Sequence, residues 1–182
     1  MSICTRKRDL VYLLFFVIHV PIILLIDTVP LLPPILQTNL SHQLREFYIT
    51  TYRDKFFEDP PIWFTVFIWM ELLYHLPLSI WATRGLLEGH PLVPVHLLVF
   101  GIQAFITTLT SLVVMWSWTD RSAAEKQQLT MLYAPYLALG MCRPKMYDNN
   151  IAIGYSHKIG GFMALDMVFR LRDKLMPKSK RE

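Results

Sequence analysis

Glu71 is the one charged residue in an otherwise apolar stretch, residues 62–82. As helix those 21 residues measure about 31 Å at roughly 1.5 Å per residue, enough to cross a hydrocarbon core of about 30 Å. Glu71 then sits near mid-membrane, where an ionised carboxylate costs at least about 2.5–3.5 kcal/mol, so it must face the protein interior, take a partner or hold a proton. Asp27 closes a second apolar run, residues 10–26. Two carboxylates in one low-dielectric cavity cannot both ionise cheaply: one keeps a proton and the other offers negative charge. Such a pair suits a ligand with one cation or hydroxyl on an apolar body. The plainer alternatives are a protonated Glu71 that only fixes helix packing and an Asp27 that marks an interfacial helix end. His75 follows Glu71 by four residues, on the same helix face, where the two can exchange a proton. Otherwise His75 and His19 read as packing histidines, and Asp54, between Arg53 and Lys55, as a solvated charge.

These residues need helices to hold them. At 182 residues, 53% hydrophobic and 18% charged, with mean hydropathy +0.35, the chain is too apolar for a soluble domain of its length. It reads as all-α, a polytopic membrane four-helix bundle. The net charge of +4 comes mostly from the two ends and lacks the basic–aromatic alternation of nucleic-acid binding. Cys4 and Cys142 offer no disulfide framework or metal spacing, and neither a metal nor a cofactor is expected. Residues 1–9 form a basic N-terminus. Helix 1 is expected from residue 10 past Asp27 to 36, too long for a signal peptide, with Pro30, Pro33 and Pro34 marking its end. Residues 37–59 are polar but aromatic, which fits an amphipathic cap over the membrane mouth. Helix 2 is expected at 62–82, a reversing turn at 83–90, and helix 3 at 93–118. Helix 3 has no charge, and its Gln103, Thr107, Thr108, Thr110 and Ser111 should point inward. The stretch 119–128 reads as a polar loop.

Helix 4 is broken in the sequence. Residues 129–140 and 162–169 are each too short to span alone, and 141–160 between them is polar and aperiodic. Removing 141–160 joins the flanks into about 22 mostly apolar residues, one span's worth. The segment therefore reads as an in-frame retained intron or gene-model error: the codons for Gly140-Met141-Cys142 can be written G-GTATGT-GC, which contains a donor-like splice signal. A genuine insertion that splits helix 4 is the alternative. Setting that segment aside, the N-terminus, the 2–3 turn and the tail hold ten Lys/Arg and the other two loops five. Positive residues favour the cytosolic side, so both termini, including the basic tail 172–182, are expected there. The ending Lys178-Ser179-Lys180-Arg181-Glu182 also fits a K-x-K-x-x retrieval signal of the endoplasmic reticulum.

Several ordered motifs then resemble a known family: His19-Val20-Pro21 leading to Asp27 and Leu31-Leu32-Pro33; Tyr48 and Asp54; Asp59-Pro60-Pro61-Ile62-Trp63-Phe64; Glu71-Leu72 with Leu76-Pro77; and Tyr133-Ala134-Pro135-Tyr136-Leu137. The chain is similar to the sigma-2 receptor family, EXPERA-domain membrane proteins that include the fungal "efficient mitochondria targeting-associated" proteins and are distantly related to emopamil-binding-protein sterol isomerases. The resemblance implies an EXPERA-like domain over 10–171. It implies that the carboxylates at Asp27, Asp54 and Glu71 line or brace an intramembrane pocket for sterol-like or cationic amphiphilic ligands. Tyr48 and Tyr136 would help form its wall, His75 would bear on ligand selectivity where animal members tend to have Gln, and a homodimer through membrane helices would follow.

The expected function is a non-enzymatic endoplasmic-reticulum membrane protein that binds such a ligand in intracellular sterol or lipid handling. A sterol double-bond isomerase using Glu71 and His75 is the first alternative, although the isomerase relatives carry their catalytic His before the Glu on this helix and here Glu71 precedes His75. An interaction or quality-control protein for membrane or mitochondrial precursor clients is the second. No nucleic-acid partner is expected.

Overall fold

The computed structural model describes residues 6–140 and 163–176, and every regular element among them is helical. Apolar runs in lipid must close their own backbone hydrogen bonds. Three helices are long and apolar enough to cross a membrane: Lys7–Asp27, Ile62–Glu88 and Val93–Trp116.

The first begins as α1 (Lys7–Ile22) and ends in a π-helical turn, Ile23–Asp27. It stops well short of residue 36. Thr28 directs both its amide (3.0 Å) and its hydroxyl (2.8 Å) to Ile23 O, and only short 3₁₀ turns follow among the prolines, which have no amide to continue a helix. The cap expected over 37–59 is two helices, α2 (Asn39–Tyr52) and α3 (Lys55–Glu58). A reciprocal box starts α2, with Thr38 Oγ1 accepting from Ser41 N at 3.1 Å and Ser41 Oγ from Thr38 N at 3.0 Å.

The second long helix joins α4 (Ile62–Met70), a π turn at Glu71–His75 and α5 (Leu76–Glu88). The expected turn at 83–90 is helical as far as Glu88. Gly85 is not a breaker: a Cβ there would lie 3.1 Å from Val93 Cγ2, so its absence lets α5 close on α6. The chain reverses at Gly89, whose φ of 71° is left-handed and whose Cβ position is 3.3 Å from Arg6 Nη1. Arg6 Nη2 in turn donates to Leu86 O (2.8 Å) and Leu87 O (3.1 Å) at the end of α5. Gly89→Ala is expected to cost about 1–2 kcal/mol, a drop of several degrees in the melting temperature of the detergent-purified protein; an unchanged melting temperature would contradict it.

The scaffold is α6 (Val93–Trp116), with α7 (Ala123–Gly140) and α8 (Met163–Leu175) both packed along it. The loop expected at 119–128 becomes helix at Ala123 because Ser122-Ala123-Ala124-Glu125 is itself a capping box: Glu125 Oε2 accepts from Ser122 N (2.8 Å) and Ser122 Oγ from Glu125 N (3.3 Å). Segment 141–160, and with it the retained-intron reading, lies outside the described residues. Its C-terminal flank is firmly seated. Arg170 bridges the buried carboxylates of Asp9 (2.6 Å) and Asp166 (2.8 Å), Tyr12 Oη donates to Asp166 (3.1 Å), and Arg8 also pairs with Asp166.

Two apolar clusters form the core. One joins Tyr12, Phe16, Leu86, Leu97, Phe100 and Met167 where α1, α5, α6 and α8 meet. The other joins Phe56, Phe64, Ile68, Met115 and Leu129 beneath α3.

Candidate ligand cavity

A cavity of about 620 Å³ opens between these clusters, bounded by Phe100 and Ala104 from one and Phe57, Phe64 and Ile68 from the other. Asp27, Glu71, His75, Tyr48 and Tyr136 all line it. Five of the six ligand residues expected from sequence therefore face one space. Each carboxylate sits on a π turn, Asp27 closing the first and Glu71 opening the second. Such a turn inserts a residue and re-aims the side chains that follow, and these turns are frequent at functional sites. Pro77 gives the second turn a local cause, because its ring displaces the carbonyl four residues earlier.

Neither carboxylate is matched by the protein. Asp27 and Glu71 make no ion pair within 4 Å among the described residues, and Glu71 Oε2 is sealed without a hydrogen-bond partner. A cation is close at hand: Arg45, on α2, stacks on Phe57 at 5.0 Å. Its guanidinium donates to Ile26 O (2.9 Å) and Phe57 O (3.3 Å), so it biases Asp27 without bridging its carboxylate. Burial lowers Arg45 from its ordinary value, and Asp27 and Tyr48 oppose that shift. Sequence reading missed Arg45 because nothing in a mixed-charge loop singles it out.

Asp54 behaves differently. It is fully buried, does not line the cavity, and accepts from Tyr48 Oη (2.9 Å), Tyr133 Oη (2.8 Å) and Phe56 N (3.0 Å). It caps α3 and ties α2 to α7, bracing the wall from behind. Burial raises its carboxyl above the ordinary range, and the bonds from Tyr133, Tyr48 and Phe56 oppose the shift. The Tyr48 hydroxyl is likewise raised, by burial and then by the Asp54 charge.

The inner end is aromatic and polar together. His19 and His75 are both buried, with ring centroids 6.4 Å apart, and Phe100 stands 5.7 and 4.5 Å from them. Tyr136 Oη lies 3.4 Å from His19 Nδ1. At the opposite side Ile18 and Phe47 are exposed and also line the cavity, so it opens to the outer surface between α1 and α2. Of the polar residues on α6 expected to point inward, Thr107, Thr108 and Ser111 line the cavity and Gln103 buries its Oε1, whereas Thr110 is exposed.

Residues 40–142 match the family described as EBP: EXPERA (EXPanded EBP superfamily), more than half of the chain. This chain belongs to the EXPERA family. Among its EXPERA relatives, "Efficient mitochondria targeting-associated protein 19" of Schizosaccharomyces pombe is 33% identical over 139 residues, covering 72% of this chain and 69% of that protein. "Sigma intracellular receptor 2" of Xenopus tropicalis is 26% identical over 147 residues, 75% of this chain and 85% of that one. The Homo sapiens protein of the same name is 28% identical over 139 residues, 69% and 78%. The EXPERA match takes in Tyr48, Asp54, Glu71, His75 and Tyr136; His19, on α1, and Asp27, on the π turn that follows it, precede the match.

Proposed function

We propose that this EXPERA-family chain is an endoplasmic-reticulum membrane protein that binds sterol-like or cationic amphiphilic ligands in its cavity and acts in intracellular sterol or lipid handling. It crosses the bilayer four times with both termini cytosolic, α7 and α8 together supplying the fourth crossing beside the three long apolar helices. What carries the reading is a largely apolar cavity, about 620 Å³, with two carboxylates lining it that no described ion pair matches and a mouth on the outer surface between α1 and α2. Apolar walls give affinity for the ligand body, and a few placed polar groups fix its orientation. The relatives named "Sigma intracellular receptor 2" support a receptor of this kind.

The test is the lipid that accompanies the protein. Mass spectrometry of the purified protein is expected to find a sterol or cationic amphiphile near one per chain, and clearly less in the Asp27→Asn/Glu71→Gln double variant. Wild type free of such a lipid, or equal occupancy in the double variant, would overturn the proposal.

One observation favours a second reading. Glu71 and His75 bracket a single π turn and both face the cavity, an arrangement able to move a proton across a sterol double bond. Incubation with candidate sterols separates the two, since a binder returns the alkene unshifted.

A further inference from the structure

A second cavity, about 290 Å³, lies where α1, α5, α6 and α8 converge, and it shares no lining residue with the first. Its buried lining includes the apolar Leu86 and Val93, and its more accessible lining is mostly charged. Asp9 lies between Arg6 (2.8 Å) and Arg170 (2.6 Å), and Asp173 is held by Arg172 (3.0 Å), so each lining carboxylate already has a cation on it. Asp166, also on Arg170, is offset by Arg8. With Lys174 added, the cations exceed the carboxylates by two. Donors remain uncommitted. Lys174 Nζ donates to Pro91 O (3.0 Å) and has no carboxylate within 4 Å among the described residues. Arg170 gives one N–H to Asp9 and one to Asp166 and keeps the rest of its fork. His90 Nδ1 accepts from Leu92 N (3.3 Å), so the neutral ring carries its hydrogen on Nε2 and is a donor as well.

We propose that this cavity holds the phosphate of an anionic phospholipid, with Lys174 Nζ, His90 Nε2 and the uncommitted N–H groups of Arg170 donating to its oxygens. The site stands at headgroup depth. Trp81, a ring of the kind that marks the bilayer interface, is edge-on to His90 at 5.3 Å. Next in sequence to the lining residues Asp9, Leu86, Val93 and Pro94 come the exposed Leu10, Leu87, Leu92 and Val95, on which acyl chains can lie while the headgroup enters. A soluble phosphate ester has the same oxygens but nothing to cover those side chains. Basic pockets between membrane helices on the cytosolic side suit anionic headgroups, and the proposed orientation places this end there. A phosphatidylcholine is the poorer guest, because its own cation cancels the attraction of the surplus charge.

The phosphate site is separate from the sterol cavity, so each stands or falls on its own test. Full-length protein, purified in detergent and stripped of lipid, is titrated with dioleoylphosphatidic acid and with dioleoylphosphatidylcholine, whose chains are the same, and binding is read by native mass spectrometry. At about fivefold for each cation near an anionic headgroup, the surplus predicts a preference for phosphatidic acid of about 20-fold in wild type. Lys174→Gln should reduce that preference about fivefold, and His90→Leu/Lys174→Gln should bring it near parity, while phosphatidylcholine binding is retained as the sign of a folded chain. Lys174→Arg should keep the preference. Arg84→Gln, which removes an exposed cation of α5 outside the cavity lining, should keep it too. Excess glycerol phosphate should leave phosphatidic acid bound. Equal affinities for the two lipids in wild type, or an unchanged preference in Lys174→Gln, would overturn the site. An equal loss in Arg84→Gln would overturn it by making the attraction one of diffuse surface charge, and displacement by glycerol phosphate by making the guest a soluble phosphate ester.

Discussion

Asp27→Asn should weaken binding of a cationic amphiphile by the purified protein about 30-fold or more, as read by radioligand saturation. The argument is one of unmatched charge. The two guanidinium donations from Arg45 go to the carbonyls of Ile26 and Phe57, and no described side chain bridges the Asp27 carboxylate, so a ligand ammonium displaces no bonded partner there. Removing one partner of a desolvated charge pair costs about 2–5 kcal/mol, the lower end of which is the quoted factor. Asparagine keeps the size and the acceptor oxygen but not the charge. A matched ligand with carbon in place of the amine nitrogen should therefore lose little, and the difference between the two ligands isolates the ion pair from any general damage to the wall. Glu71→Gln should do less, because Glu71 Oε2 is sealed away from hydrogen-bond partners. Unaltered amine affinity in Asp27→Asn would defeat the assignment.

Much of this was legible in the sequence, and what was missed has local causes. The carboxylate at mid-helix announced an interior site because lipid leaves few alternatives, and Glu71 does line the cavity. The π turns were not foreseeable, since apolar periodicity over Ile62–Glu88 reads the same whether the helix is regular or carries one extra residue. Helix ends were misjudged where a residue serves packing rather than punctuation: Gly85 permits a close helix contact, and only Gly89 turns the chain. The Ser122–Glu125 capping box was present in the sequence and went unread beneath a polar composition. His19 and His75, far apart in the sequence and on different helices, became neighbours only once α1 packed against the second long helix.

Asp54 separates holding the pocket from filling it. Its carboxylate accepts from Tyr48, Tyr133 and the amide of Phe56, so Asp54→Ala strands two hydroxyls and an N–H together. At about 1–3 kcal/mol for each stranded group, with partial relaxation, the expected loss is about 3–5 kcal/mol, large enough to unfold much of the protein in detergent at 37 °C. Asp54→Asn retains an acceptor for the tyrosines and should lose much less, with amine affinity close to wild type in the fraction that remains folded. The two variants also differ in pH dependence. Burial raises the Asp54 carboxyl in the folded state, against the opposing bonds from Tyr133, Tyr48 and Phe56. A carboxyl raised on folding binds its proton more tightly in the native state, so its contribution is fullest at acid pH and declines as pH climbs above about 4, the ordinary carboxylate value. Asparagine has no such slope. The stability gap between wild type and Asp54→Asn should accordingly narrow from acid to neutral pH in thermal unfolding. A gap that widens with pH would mean that the three hydrogen bonds outweigh burial and that Asp54 is stabilised as the anion.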